Sequence, residues 1–327
     1  MRILLWHVHG SWTTSFVQGQ HEYLIPVTAD RGPDGLGRAR SWDWPNTVTE
    51  VPVAELAHAD IDAVVLQRPH EVGLCEQWTG RRPGRDVPAV YVEHNTPPEP
   101  FGSRHPMADR SDITVAHVTH FNRLMWDCGR TRTTVVEHGI VDPGQLYTGE
   151  LQRAAVVVNE PVRRGRAVGA DLLPVLAEAA PLDVFGMQVT RLTSHLDLPA
   201  DRLRTIEDPG QAQMHQQVAR RRVYVHTSRW TSLGLSLLEA MHLGMPVVVL
   251  ACTEAVAIPP AAGCVTLRPD HMAAAISRFI ADPDAARQAG SVARAHAVAQ
   301  YELGRFLADW DVVLETVMAR QPVALPR

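Results

Sequence analysis

No lysine occurs in the 327 residues, so all 31 positions of the Lys/Arg class are arginine. That absence excludes Schiff-base chemistry on pyridoxal phosphate and the lysine of a P-loop. Any phosphate contact must then come from guanidinium forks and backbone N–H groups. Cysteine is scarce as well: Cys75, Cys128, Cys252 and Cys264 lie far apart, without metal-ligand spacing, and read as reduced thiols. The 16 histidines form no His-Glu-x-x-His cluster, and no metal site is expected. The first strand is not followed by Gly-x-Gly-x-x-Gly, which argues against a dinucleotide oxidoreductase. No apolar run is long enough to span a bilayer. Strand-like sequence begins at Arg2, so no signal peptide is expected and a cytoplasmic location is the simplest reading. A net charge of −5 gives no electrostatic reason to expect nucleic acid or an anionic membrane as the main ligand.

What is present reads as two α/β domains in series. The hydrophobic fraction of 45% and charged fraction of 20% belong to a globular chain long enough for both. Strands are expected over residues 3–8, 23–27, 63–66, 89–93, 114–119 and 134–137. Several are continuous apolar runs, the pattern of strands buried on both faces of a parallel sheet. Long loops over 29–45, 79–87 and 95–111 separate them. The last would sit at the carboxyl end of a strand, where open α/β sheets bind ligands. A Pro/Gly-containing linker at 143–150 predicts domains of 1–146 and 147–327. In the second, strands are expected over 154–158, 182–185, 203–206, 223–226, 246–250 and 264–267, with helices over 171–179, 209–220 and 235–243. Met272, Ile276, Phe279 and Ile280 mark a further helix, and Phe306, Trp310, Val313, Leu314 and Val317 a terminal one that needs an apolar surface to cover.

The segment from Val223 to Val249 carries the most chemistry. It reads as strand, loop, Gly234, short helix, Gly-x-Pro stop and strand. A glycine just before a helix lets a ligand approach the first-turn N–H groups, here near Leu235 and Ser236, where the helix dipole favours phosphate. One turn on, the Glu239 carboxylate can accept two hydrogen bonds, which suits the vicinal hydroxyls of a ribose. Taken alone, a solvated glutamate on an ordinary crossover helix is an equal alternative.

This segment resembles the donor-site pattern of the retaining GT-B glycosyltransferases of group 1, the family 4-like, glycogen-synthase- and mannosyltransferase-like enzymes. That pattern is Ser-x-x-Glu-x-Phe-Gly-Leu-x-x-Leu-Glu-Ala-Met-x-x-Gly-x-Pro-Val-Val. Ser228, Gly234, Leu235, Leu238, Glu239, Ala240, Met241, Gly244, Pro246, Val247 and Val248 match it. The stretch from Val136 to Asp142 resembles the Pro-Asn-Gly-Val-Asp segment that closes the family's N-terminal domain. Arg163-Arg-Gly-Arg166 followed by Gly169-Ala-Asp171 resembles its diphosphate-binding region, and Val92-Glu-His-Asn-Thr96 a strand end presenting an active-site histidine. The resemblance implies two Rossmann-like, doubly wound domains facing a cleft, with the C-terminal helix packing back toward the N-terminal domain.

It also implies transfer of a sugar from a nucleotide-diphosphate donor to a small-molecule, lipid or glycan acceptor, with retention and without a required metal or cofactor. The leaving phosphate oxygen would serve as the base for the acceptor. His94, Arg163 and Glu239 are the implied catalytic residues. Donor contacts fall on Gly10, Arg163, Arg164, Arg166, Gly186, Ile206, Thr231, Ser232, Leu233, Gly234, Leu235, Ser236 and Glu239, with Arg163 and Arg166 ahead of Arg164. Trp12, His94, Asn95 and His138 fall on the acceptor side. The arginine-only, alanine-rich composition suggests a bacterial source. No nucleic-acid partner is implied, and peripheral membrane contact only if the acceptor is a lipid.

Two positions depart from the pattern. Thr231 stands where the family has the first of two glutamates, and Val168 near its phosphate-binding lysine. Threonine carries no charge and reaches less far; Ser232 or Glu254 are the neighbours that could compensate. Thr231 therefore keeps a second hypothesis open, a non-catalytic GT-B protein that binds a nucleotide sugar. A sugar-nucleotide epimerase on the same architecture is a weaker third.

Overall fold

A computed structural model describes residues 1–320 of the chain. By packing, the chain divides into two units: Met1–Val141 with the segment from Leu303 onward, and Asp142–Glu302. The first holds a seven-stranded sheet of order β3-β2-β1-β4-β5-β6-β7 and the second a six-stranded sheet of order β10-β9-β8-β11-β12-β13. In the first, β1 is Arg2–Leu5, β2 Glu22–Val27, β3 Val48–Pro52, β4 Ala63–Leu66, β5 Ala89–Glu93, β6 Thr114–His117 and β7 Arg132–Val135. In the second, β8 is Leu151–Val157, β9 Leu182–Gly186, β10 Leu203–Glu207, β11 Arg221–His226, β12 Val247–Leu250 and β13 Gly263–Thr266. Every pairing is parallel. Both orders reverse once, between β1 and β4 and between β8 and β11, and such switch points open a crevice at the carboxyl ends of the strands.

The apolar runs became strands buried on both faces: β4, β5, β9, β11 and β12 are buried throughout. Leu4, Val64, Leu66, Tyr91 and Val115 centre one core; Val156, Val184, Val223, Val248, Ile276 and Phe279 centre the other. Among the described residues no helix is long and apolar enough to cross a membrane.

Several elements escaped the sequence reading, and three of them show why. Strand β3 is a short edge strand with alternating, half-polar residues, whose Glu50 pairs with Arg31 rather than lying in an apolar run. The helix Pro283–Gln300 is alanine-rich, so its apolar stripe is faint; Asp282 caps it, accepting from the Asp284 and Ala285 N–H groups at 3.0 and 2.9 Å. The helix Gly10–Phe16 takes Trp12 into the core.

The terminal helix Leu303–Met318, grouped with residues 147–327 on sequence, belongs to the first unit by its contacts. Its Trp310 ring meets those of Phe16 and Trp12, with centroids 5.2 and 5.6 Å apart, and a Cβ on Gly139 would collide with Phe306. The first unit is thus closed by the last helix of the chain. Trp310 is 1% exposed, so Trp310→Ala is expected to destabilise that unit by about 3–5 kcal/mol, through lost burial plus a cavity. Urea unfolding followed by circular dichroism measures this, and a loss under about 1 kcal/mol would contradict the packing described.

Candidate functional site

In the second unit, two segments some sixty residues apart in sequence meet at the carboxyl ends of β8 and β11. Gly169 adopts φ +74°, and a side chain there would collide with the Thr227 carbonyl. Thr227 Oγ1 donates to the Val168 carbonyl at 2.7 Å, and the Arg229 and Trp230 N–H groups donate to the Ala167 carbonyl at 2.8 and 3.0 Å. Arg229 extends the seam, reaching the Arg166 carbonyl at 2.8 Å and both oxygens of Asp171 at 2.6 and 3.0 Å. Arg229 was not singled out on sequence, because an arginine in a loop carries no signal of its partner. The seam brings the arginine-rich turn against the loop that leads to Gly234.

Gly234 occupies the N-cap of the helix Leu235–His242, and no side chain caps it. No acidic residue lies in its first turn. The first helical carbonyl bonds go to Leu237 and Leu238, so the Leu235 and Ser236 N–H groups have no backbone partner among the described residues. An uncapped helix start of this kind favours an anion. A Cβ on Gly234 would lie 2.5 Å from the His226 ring, so the glycine is required first by a buried neighbour. His226 itself is pushed down to about 4 by burial and stays neutral.

The three arginines differ. Arg163 is exposed and its guanidinium is held by Glu160, through Nε at 2.8 Å and through a second, shorter contact. Arg166, also exposed, pairs with Asp171 at 2.8 Å. Arg164 is half-buried, and its guanidinium makes no hydrogen bond or ion pair among the described residues; burial, with Arg163 beside it, lowers its pKa. The sequence expectation places Arg164 last; in the structure Arg163 and Arg166 are the two that pair with carboxylates, and Arg164 is the one that does not.

Glu239 is 4% exposed. Its Oε1 accepts from Gln211 Nε2 at 3.3 Å, and Oε2 lies 3.3 Å from His215 Nε2. Neither partner was foreseen, since Gln211 and His215 lie on a different helix, Gln211–Ala219. Ser236 Oγ accepts from Tyr224 Oη at 2.9 Å. Leu233 and Ser232 are buried, Thr231 and Leu235 half-buried, and the Ser232 carbonyl accepts from the Glu254 N–H at 3.4 Å. Gly186, at φ +132°, ends β9 against the Val158 carbonyl and Asn159, and Ile206 sits half-buried on the neighbouring β10.

In the first unit, His94 follows β5 and is buried. Gln67 Nε2 donates to the Trp6 carbonyl at 2.7 Å, which turns Gln67 Oε1 toward His94 Nε2 at 3.0 Å. His94 Nε2 therefore carries the proton. The His9 ring lies 4.1 Å from that of His94. Burial, reinforced by His9 and His138, holds His94 well below the ordinary histidine range, so it is neutral at pH 7. His138 is buried, neither ring nitrogen finds a hydrogen bond among the described residues, and burial pushes it down to about 3. Asn95 is exposed and used through its backbone: its N–H donates to Glu93 Oε1 at 2.7 Å and its carbonyl accepts from Trp126 Nε1 at 2.8 Å.

Two expectations on this side are corrected. Trp12 is 1% exposed and stacked on Phe16 at 4.9 Å, so it offers no face to an acceptor; the residue is core. The close approach that Gly10 permits is that of Trp42, whose ring would lie 2.9 Å from a Cβ.

Residues 169–282 match the model of a family described as Glycosyl transferases group 1. Comparison with curated proteins finds no match. Among solved structures, Anabaena HepE in complex with UDP-glucose is similar at 14% identity and TM-score 0.70, over 97% of this chain and 100% of that one. Sucrose-phosphate synthase from Thermosynechococcus elongatus gives 15% and 0.68, over 98% and 99%. S. aureus TarM, in complex with fondaparinux, alpha-GlcNAc-glycerol and UDP, gives 14% and 0.61 over 77% of this chain; this chain covers 55% of TarM. Identities this low establish the fold, which is GT-B. The family match covers the donor segment itself.

The buried neutral histidines make stability depend on pH. His117 and His138 in the first unit are pushed down to about 3, and His226 in the second to about 4, all by burial first. Their folded values lie below the unfolded value near 6.5, so the unfolded chain binds more protons as pH falls and stability is lost below that value. From pH 6.5 to 5 each should cost about 2 kcal/mol. Urea unfolding at both pH values measures it; equal midpoints would contradict neutral burial.

Proposed function

We propose that this chain, a group 1 glycosyltransferase over residues 169–282, moves a sugar from a nucleoside-diphosphate donor to a small-molecule, lipid or glycan acceptor with retention of configuration. The observation that carries this reading is the uncapped helix start after Gly234, joined by the Gly169–Thr227 seam to the turn that bears Arg164. Backbone donors and an unpaired guanidinium suit a diphosphate, and they would stabilise the charge that develops as it leaves. Leu235, Ser236 and Arg164 take the phosphates, Glu239 the ribose, and Gly186 and Ile206 lie along the base.

His94 is neutral and hydrogen-bonded through Nε2 to an amide oxygen, which makes it an orienting group rather than a charged base. The leaving phosphate oxygen then serves to deprotonate the acceptor. UDP, bound in the HepE and TarM structures, is the first nucleotide to test.

Thr231 favours one second reading, a protein that binds a nucleotide sugar without turnover, because the family's first carboxylate is missing. Glu254 is the neighbour that could answer this: its backbone N–H is bonded to the Ser232 carbonyl, next to the threonine.

Incubation with donor sugars should release nucleoside diphosphate, at least slowly by hydrolysis; binding without release would favour the second reading. Glu239→Ala should weaken nucleotide binding at least about tenfold, as charge-assisted hydrogen bonds are lost. Arg164→Met should weaken it by a similar factor, about tenfold, and Arg163→Met by less. Calorimetry ranks the three, and equal affinity of wild type and Glu239→Ala would sink the donor assignment.

A further inference from the structure

The helix Gln211–Ala219 faces Glu239 with two residues spaced i, i+4, Gln211 and His215, which share one helix face. Gln211 Nε2 donates to Oε1 at 3.3 Å. His215 Nε2 stands 3.3 Å from Oε2, at ion-pair distance but outside hydrogen-bond geometry, and it has no other partner for that nitrogen. His215 is 7% exposed, and the small cavity beside it is otherwise lined mainly by apolar groups such as Val157, Met214, Val218 and Leu243. A polar ring atom buried in that setting has one favourable neighbour, the carboxylate, which only accepts.

We propose that Gln211 and His215 are positioning residues that hold the Glu239 carboxylate in place from the side of their helix, and that this sets the preference of the site for ribonucleotides over 2′-deoxyribonucleotides. This rests on the reading of Glu239 as the ribose acceptor. A carboxylate offers about four lone-pair directions, so the Gln211 donor and the His215 ring nitrogen beside it leave acceptor capacity toward a ligand. An untethered glutamate would have to lose rotamer freedom each time a ribose binds. With its oxygens held by a neighbouring helix, the geometry exists before the ligand arrives, and the hydroxyl pair is what the site rewards. A sugar lacking the 2′-hydroxyl leaves one buried oxygen without that partner.

The test is calorimetric titration of the full chain with UDP, GDP and ADP and their 2′-deoxy forms, on wild type, Glu239→Ala, His215→Ala, His215→Gln and Gln211→Ala. Wild type should prefer the ribo form of its best nucleotide by about tenfold or more. His215→Ala should cut that preference to within about threefold while leaving deoxy binding nearly unchanged, and His215→Gln, which keeps an N–H donor, should restore most of it. Equal weakening of both forms in His215→Ala would mark a purely structural role and overturn the proposal, as would an intact preference. Gln211 is half-exposed, so Gln211→Ala carries the same test should His215→Ala fail to fold. Absence of any binding by wild type, or a ribo preference unchanged in Glu239→Ala, would overturn the ribose reading itself.

Discussion

The donor side of this molecule depends on one backbone constraint, the left-handed turn at Gly169 that lets the Val168 carbonyl lie against Thr227. With any side chain at that position the turn and the strand end could not touch. Because they do, the Ala167 carbonyl accepts two N–H groups from Arg229 and Trp230, and the loop toward Gly234 inherits a fixed starting direction. The helix Leu235–His242 then begins where the seam points it, with its first N–H groups uncovered. Sheet order supplies the rest: both segments leave strands that flank the β8/β11 switch point, so a crevice exists before any side chain is chosen.

Charge is distributed sparingly along that crevice. Arg229 and Arg166 share Asp171, and Arg163 is tied to Glu160, so most of the local arginine charge is neutralised at contact distance. These pairs are exposed or half-exposed and contribute little to stability, but they decide which cation is available. Among these arginines Arg164 alone lies half-buried with no carboxylate hydrogen-bonded to it among the described residues, where a guanidinium is more costly to leave unpaired and more responsive to an incoming anion. The first unit follows the opposite rule. His94, His138 and His117 are kept neutral by burial, so that side contributes hydrogen bonds and shape rather than charge.

The fold was legible because parallel strands buried on both faces write continuous apolar runs; β4 and β12 are apolar throughout, and β5 up to its last residue. The edge strand β3 did not, since an edge needs polar residues such as Glu50 and tolerates Pro52. The donor loop was legible through Gly234 and Glu239 because close approach and a buried carboxylate restrict residue type. What surrounds them was not. Whether Arg163 or Arg164 is already occupied depends on where Glu160 points, and Glu160 sits at φ +52°, a conformation nothing in its identity announces. Trp12 illustrates the reverse problem: a tryptophan beside a glycine looks like a ligand platform until the terminal helix arrives from three hundred residues away to bury it.

The two departures from the group 1 pattern are opposite in charge. Against that pattern Val168 lacks a cation and Thr231 lacks an anion, so the formal charge summed over the two positions is unchanged. The hydrogen-bond reach is not. In place of the lysine, the groups proposed to take the phosphates are the Leu235 and Ser236 N–H groups and Arg164, whose planar fork demands a defined approach. Without the glutamate, the loop near Thr231 has a short neutral hydroxyl, and the backbone of Glu254 is anchored to it through Ser232. On the proposed reading, nucleotide recognition rests on groups fixed through the seam and the helix start. Sugar recognition would then rest on a loop whose polar groups differ from those of the group 1 pattern, which is where a change of donor sugar would be accommodated with the fold and the nucleotide site intact.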